Sequence, residues 1–393
     1  PREEGSSSGA ARSAVYRQML PGSQQGCAAL AGAPRWNDPR FEPGEDNNRP
    51  EISSCCRRND RGFMKTGGLS GIKGWERVLV LLLFGWSCGA SPGRATPEAI
   101  ASQTIKSLIA QLGAEDFATR DEADRKLLAL GRVSVPPLLE AAKDSESPEI
   151  RVRSRTLVDR IRSRFLQAEF ERMGRLPDDH LDVEQAMWLI ALFLDPSLER
   201  QVLTRQLDHM AAAVRKRLGE NVEAADLPPR EAITVLISSL RDDFQLSGDK
   251  VTYHHPDNSS AYRVIKRRKG LPILLSEIAV AVARRVDIPV VGLGVPGRYM
   301  IKYDGGRAPA GADQRDIFIN PFEGWREMTV QEISLNAAGF NPNEHLTSYP
   351  PRETILRMMR NMENHAMVTG RQDLVDAIRR CSGLVAPNVV PFR

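Results

Sequence analysis

An apolar helix that runs straight into two short β-branched segments constrains this chain most. Leu274, Ile278, Val282 and Val286 recur every fourth residue, with Leu275, Ala279 and Ala283 beside them. That is the period of a helix with one broad buried face. Pro272 suits its first turn, where an amide donor is spare, and Pro289 closes the segment. Residues 290–295 are short and β-branched, which predicts a buried strand. Pro296 and Gly297 mark a turn, and residues 298–303 and 316–320 alternate polar and apolar as strands do. The expected order is helix, strand, turn, strand, insert, strand.

The motifs on this frame are specific in combination. Asn258-Ser259 is followed by Val-Ile-Lys-Arg-Arg-Lys-Gly-Leu-Pro-Ile-Leu-Leu-Ser at 264–276, Gly-Val-Pro-Gly-Arg-Tyr at 294–299 and Ile-Asn-Pro-Phe-Glu-Gly at 319–324. In this order they resemble the bacterial SirB-type family, a relative of the transglutaminase core, over about residues 178–393. The resemblance implies a helix-rich α+β fold: a papain/transglutaminase-like core with a small antiparallel sheet, wrapped by helices. It also implies a Cys at the start of the core helix, a His where this chain has Arg298, and an Asp where it has Asn320. Such a triad needs a thiolate, an imidazole base in reach and a carboxylate to orient it. Residues 271–276 hold no cysteine, a guanidinium stays protonated, and an amide accepts no proton. All three matched positions are therefore empty of that chemistry.

Four residues remain as candidates for a degenerate cleft: Arg298, Asn320, Ser276 and Trp325. Arg298 has two readings, a cleft-facing ligand for carboxylate or phosphate and a strand residue pointing to solvent. Ser276 would serve as a nucleophile only if His254, His255, His345 or His365 came within hydrogen-bond reach. His254 and His255 precede Pro256-Asp257-Asn258 and read as a surface loop before a helix cap, since no further ligand at metal spacing accompanies them. Trp325 is expected to pack over the cleft. Cys381 reads as a buried apolar residue of a C-terminal helix.

The rest of the chain supplies context. With 393 residues, two or three domains are expected, and a net charge of +4 with 26% charged residues is no nucleic-acid signature. Residues 1–63 are rich in Gly, Ser, Pro and Arg and read as disordered or as lying upstream of the true start. Residues 64–95 run basic, apolar, small, the order of a secretory signal peptide; an uncleaved anchor or a lipid on Cys88 are the alternatives. Of the five cysteines, Cys27, Cys55, Cys56 and Cys88 precede residue 91. Residues 96–170 read as antiparallel helix pairs resembling HEAT-type repeats, with Arg120 aligned to Arg153. The arginines at 151, 153, 155, 160, 162 and 164 read as a solvated helix face. Residues 178–345 form the core domain with its helical lead-in, and residues 346–393 a helical hairpin joined at Gly370.

No phosphate-binding loop, metal set or cofactor motif stands out. Gly292, Gly294 and Gly297 fit a GxGxxG spacing, but a turn and a strand follow rather than a helix. The basic run at 266–269 lacks the aromatic residues that accompany nucleic-acid binding. The sequence thus suggests an exported, non-catalytic protein without cofactor or metal. It would bind a protein or peptide through the degenerate cleft and helical repeats, and touch a membrane only through an uncleaved or lipidated N-terminus. An amide hydrolase or acyl transferase with a rewired site, and a structural or assembly protein, are the alternatives.

Overall fold

The structure, a computed structural model, describes residues 97–219, 222–308, 311 and 314–386. The expected disordered stretch and the signal peptide, with the four early cysteines, lie outside the described residues. The described residues belong to one compact unit, Ala90–Arg393.

Four helices open it: α1 (Pro97–Gln111), α2 (Phe117–Leu130), α3 (Val135–Asp144) and α4 (Pro148–Gly174). Asp116 and Ser147 cap α2 and α4 by accepting from Thr119 N and Ile150 N. Leu112, Leu127, Leu138 and Leu157 close a small core of their own. Two of the loops between these helices are tied down in the same way. Arg120 Nη1 donates to Ala114 O (2.7 Å) and Glu115 O (2.6 Å). Arg151 Nη1 donates to Ser145 O (2.7 Å) and Glu146 O (2.9 Å). Arg120 therefore matches Arg151, not Arg153, because each ties down the carbonyls of the loop before its own helix.

The arginine-rich stretch of α4 is half exposed and half partly buried, with Arg155, Arg160 and Arg164 on the exposed side, and several of its guanidinium groups also tie α4 to its neighbours. Arg155 donates to Ala142 O, Arg160 pairs with Asp124 at 2.6 Å, and Arg162 reaches Phe193 O at 3.1 Å. Helix α4 also belongs to two cores. Leu157 and Ile161 pack in the N-terminal bundle, and Leu166, Phe170 and Met173 pack in the main one.

The main core contains α5 (Val183–Ala191), α6 (Arg200–Leu218), α7 (Pro229–Ser238), α8 (Ala261–Arg267) and the central α9 (Pro272–Arg284). Asp182 caps α5 through Gln185 N, while the Gln185 side chain turns to Glu169 instead of closing a capping box. Ten residues of α9 are buried, from Ile273 to Ala283 with only Val280 excepted. It is enclosed nearly all round, beyond the one buried face its period suggests, as befits the middle of a core.

Against α9 lies one sheet: β3 (Val290–Val295), β4 (Arg298–Tyr303), β5 (Ile317–Asn320) and β6 (Arg326–Met328), antiparallel in that order. Leu293 pairs with Met300, Ile301 with Ile319, and Asn320 with Arg326. A two-residue parallel bridge joins β1 (Ser247–Gly248) to β2 (Lys269–Gly270). Tyr299, Ile301, Tyr303, Ile317 and Ile319 face α9. Leu293, Val295, Met300 and Phe318 face the other way, onto Met328 and Ile333. Helices α10 (Val330–Leu335), α11 (Pro342–His345), α12 (Pro351–Val368) and α13 (Gln372–Val385) complete the unit. Gly370 turns the last hairpin at φ 69°, as its place in the sequence predicts. Among the described residues no helix is long and apolar enough to cross a membrane.

Candidate functional site

The four expected cleft residues do not meet. Two-residue alternation decides this for the strands. Tyr299 and Ile319 face α9, so Arg298 and Asn320 take the register of the opposite face, beside Met300 and Phe318. Arg298 donates to Asn336 O at 3.1 Å, beyond the end of α10. Asn320, 4% exposed, caps the turn at Pro321–Glu323 by accepting from Glu323 N. Ser276 is fully buried on α9, and its Oγ has no hydrogen-bond partner. Trp325 is buried and donates to Leu246 O at 2.7 Å, so it plugs the core instead of covering a cleft.

The start of α9, where a nucleophile would stand, is packed shut. Leu271, Ile273 and Leu274 are each 1% exposed. The bridge strand β1 closes on the turn after β5 so tightly that a Cβ on Gly248 would sit 2.4 Å from Phe322 O. Cys381 is buried on α13, and burial pushes its thiol up to about 12, so it is no displaced nucleophile.

The histidines went elsewhere. His255 caps the turn Pro256–Ser259, its Nδ1 accepting from Asp257 N at 3.3 Å. His365 on α12 meets Ser259, not Ser276, with Nδ1 and Oγ 2.8 Å apart. Both are sealed, at 2% and 0% exposure. Burial, helped by the charges of His254 and His255, pulls His365 down to about 4, so it is neutral.

The motif around Asn258 and Arg267 is architectural. Asp249, 1% exposed, accepts from Thr252 N (2.8 Å), Thr252 Oγ1 (2.6 Å), Asn258 Nδ2 (3.1 Å) and Arg267 Nη2 (3.2 Å). Burial alone would raise this carboxyl, but those donors and the Arg267 charge outweigh it and hold it at about 2. Arg268 bonds Gln245 at 2.6 Å from a left-handed backbone, φ 63°. Half of the basic run is thereby spent on the fold.

An open cavity of about 580 Å³ lies on the free side of β3. Its walls are residues 287–292, the outer side of α9 at Glu277, Val280 and Arg284, and Ser348, Tyr349, Pro351 and Thr354 at the start of α12. Asp179, Val183 and Arg307 complete the rim. Tyr299 and Glu277 form its polar base. Tyr299 Oη donates to Glu277 Oε1 at 2.8 Å and lies 3.1 Å from Thr354 Oγ1, which donates to Pro350 O at 3.1 Å. When Glu277 carries a proton, the chain can run in one direction from carboxyl to phenol to threonine to carbonyl.

Burial pushes the Glu277 carboxyl up to about 7, against the opposing pull of Tyr299 and Arg284. The same burial, with the Glu277 charge, drives Tyr299 well above the usual phenol range. Glycine makes the approach to β3 feasible. A Cβ at Gly292 would sit 2.4 Å from Tyr299 Oη and 2.6 Å from Glu277 Oε1, and one at Gly294 would sit 2.2 Å from the Tyr349 ring. Two of the three glycines that fit a dinucleotide spacing, Gly292 and Gly294, serve this packing. Tyr349 N donates to Gly292 O at 2.9 Å, so residues beside the cavity already run along the sheet edge.

Sequence reasoning passed over Glu277 and Tyr299. The available signal was one acid inside the apolar run of α9. Among the described residues no three His, Cys, Asp or Glu side chains gather as metal ligands.

The comparisons agree with this frame. A UPF0162 protein of Xylella fastidiosa (strain Temecula1) is 27% identical over 222 residues, covering 54% of this chain and 74% of that protein. A UPF0162 protein of Pseudomonas aeruginosa is 27% identical over 184 residues, 46% of this chain and 62% of that protein. Mouse F-box only protein 21 is 29% identical over 94 residues, only 15% of its own length. No solved structure matches the chain. Residues 201–360, which hold α9, the whole sheet and the cavity base, match the family described as the transglutaminase-like superfamily, so this chain carries a transglutaminase-like domain.

Proposed function

We propose that this chain is a non-catalytic transglutaminase-like protein that binds a protein or peptide segment in the cavity beside β3. One observation carries the reading. The start of α9 is packed with apolar side chains, whereas an open cavity with a polar base and an adjoining sheet edge lies on its other side. Its volume suits a few side chains of a ligand. The SirB-type affiliation, the HEAT-like character of residues 96–170 and export by way of residues 64–95 belong to the same proposal.

The test is hydrogen exchange on the full chain with a pooled library of ten-residue peptides. Slower exchange in residues 290–292 and 348–354 supports the proposal. Release of ammonia or amine from that library above the buffer rate, abolished by heat denaturation, would overturn it. N-terminal sequencing of the mature protein checks the export element, and an intact Met64 would remove it.

A hydrolase reading has one observation behind it, the 2.8 Å contact of Ser259 with a neutral His365. Nucleophile and base are at working distance, but both are closed off from any substrate. A serine-directed fluorophosphonate decides between the readings. No label on Ser259 is expected of the binding protein.

A further inference from the structure

The carboxyl of Glu277 leaves one oxygen for a ligand. Oε1 is held by Tyr299, while Oε2 has no hydrogen bond among the described residues, and the side chain lines the cavity with only 5% of the residue exposed. A nearly buried carboxyl with no donor on one oxygen, and with Arg284 acting on it only from a distance, is a costly arrangement that a ligand can relieve. We propose that the cavity takes a primary alkylammonium group, its nitrogen on Glu277 Oε2 and its methylenes along Val280, Ile288 and Val291. This deepens the reading of the cavity as a binding site and rests on it.

Three features select a cation. The cavity runs along the C-terminal half of α9, where the partial charge of the helix is negative. Asp179 and Asp287 stand on its rim. Of the two rim arginines, Arg307 is paired with Asp304 at 3.2 Å, which leaves Arg284 as the opposing charge. The shape of the acceptor favours ammonium over guanidinium. A guanidinium fork takes both carboxylate oxygens, and one is already committed to Tyr299. The other groups facing Glu277 are Tyr299 from β4 and Thr354 from α12, with Arg357 acting through Tyr299.

Binding an ammonium requires the ionised carboxylate, so it displaces a proton. Glu277 is half-protonated at about 7 in the free protein. Affinity is therefore expected to fall by about tenfold per pH unit below that point and to level off above it.

The probe is n-pentylammonium, titrated into the full chain by calorimetry between pH 5.5 and 8.5, with n-pentanol as the uncharged control. Pentylammonium should bind with the pH slope above and pentanol without it, and Glu277→Gln should weaken pentylammonium at least tenfold. Should that variant fold poorly, the ¹³C titration of the Glu277 carboxyl in the wild type gives the same answer, since its midpoint must drop when the probe saturates. Binding that tightens on acidification, or ignores Glu277→Gln, overturns the proposal. A lysine peptide compared with its acetyl-lysine form distinguishes the sources: preference for free lysine means a protein ligand, and binding of pentylammonium alone means a small amine. An acetylated peptide that protects residues 290–292 equally well leaves the peptide-binding reading standing and removes the ammonium; protection by neither peptide, with no binding of pentylammonium, removes both.

Discussion

Glu277 moves from a carboxyl of 4.5 in the unfolded chain to about 7 in the fold. A raised folded value means stability that is full below the unfolded pKa and lost as pH rises through the folded one. The native state therefore loses up to about 3 kcal/mol between pH 4.5 and 7 on account of this side chain. Urea unfolding of Glu277→Gln against wild type should show a gap that moves in the variant's favour by about that amount from pH 4.5 to pH 8.5. His365 runs the opposite course. Its value falls from 6.5 to about 4, so its contribution is present above 6.5 and disappears as pH drops through 4. Wild type should lose about 3 kcal/mol more than His365→Asn over that interval. Equal acid slopes in the two proteins would show that His365 is not held neutral in the native state. Neither effect could be read from sequence. Glu277 meets Tyr299 from 22 positions away and His365 meets Ser259 from 106.

Among the elements, α9 and its sheet were the most legible. Pro272 and Pro289 bracket a run with a clean four-residue period, and β-branched residues with the Pro296-Gly297 turn define β3 and β4. Local propensity and burial agree there, so a short window suffices. The side on which Arg298 and Asn320 point was not legible, because one residue of register reverses a strand's faces. The shared grip of Arg120 and Arg151 on the carbonyls of the loops before α2 and α4 was not legible either, because a residue alignment does not weigh it. A similar grip joins distant elements at Arg352, which bonds Asp178 Oδ1 at 2.7 Å and the carbonyls of Leu176 and Val385. Arg352→Met keeps the apolar stem and strips those donors. The loss should be about 1–3 kcal/mol, since partly buried carbonyls are left without partners. Hydrogen exchange should rise together at 174–178 and 384–386 and stay unchanged in the sheet.

At the scale of the whole unit, α4 spans two cores without a break, 27 residues long. The bundle and the transglutaminase-like domain should therefore melt together. Trp188 and Trp325 are the described tryptophans, and both report on the main core. Ser163→Pro interrupts α4 between Ile161 and Leu166, at a local cost of about 3 kcal/mol. Calorimetry should then show two transitions, only the later one coinciding with the tryptophan signal; a single transition would mean that the cores are coupled by more than this helix. The sequence by itself determined which segments are helix and strand and where they stop. Those properties follow from local period and turn residues. Only the tertiary structure decided that the expected cleft is packed shut and that the open one forms behind β3. Such a cavity is made by surfaces far apart in the chain, and its chemistry depends on which buried groups are left without partners once everything else has packed.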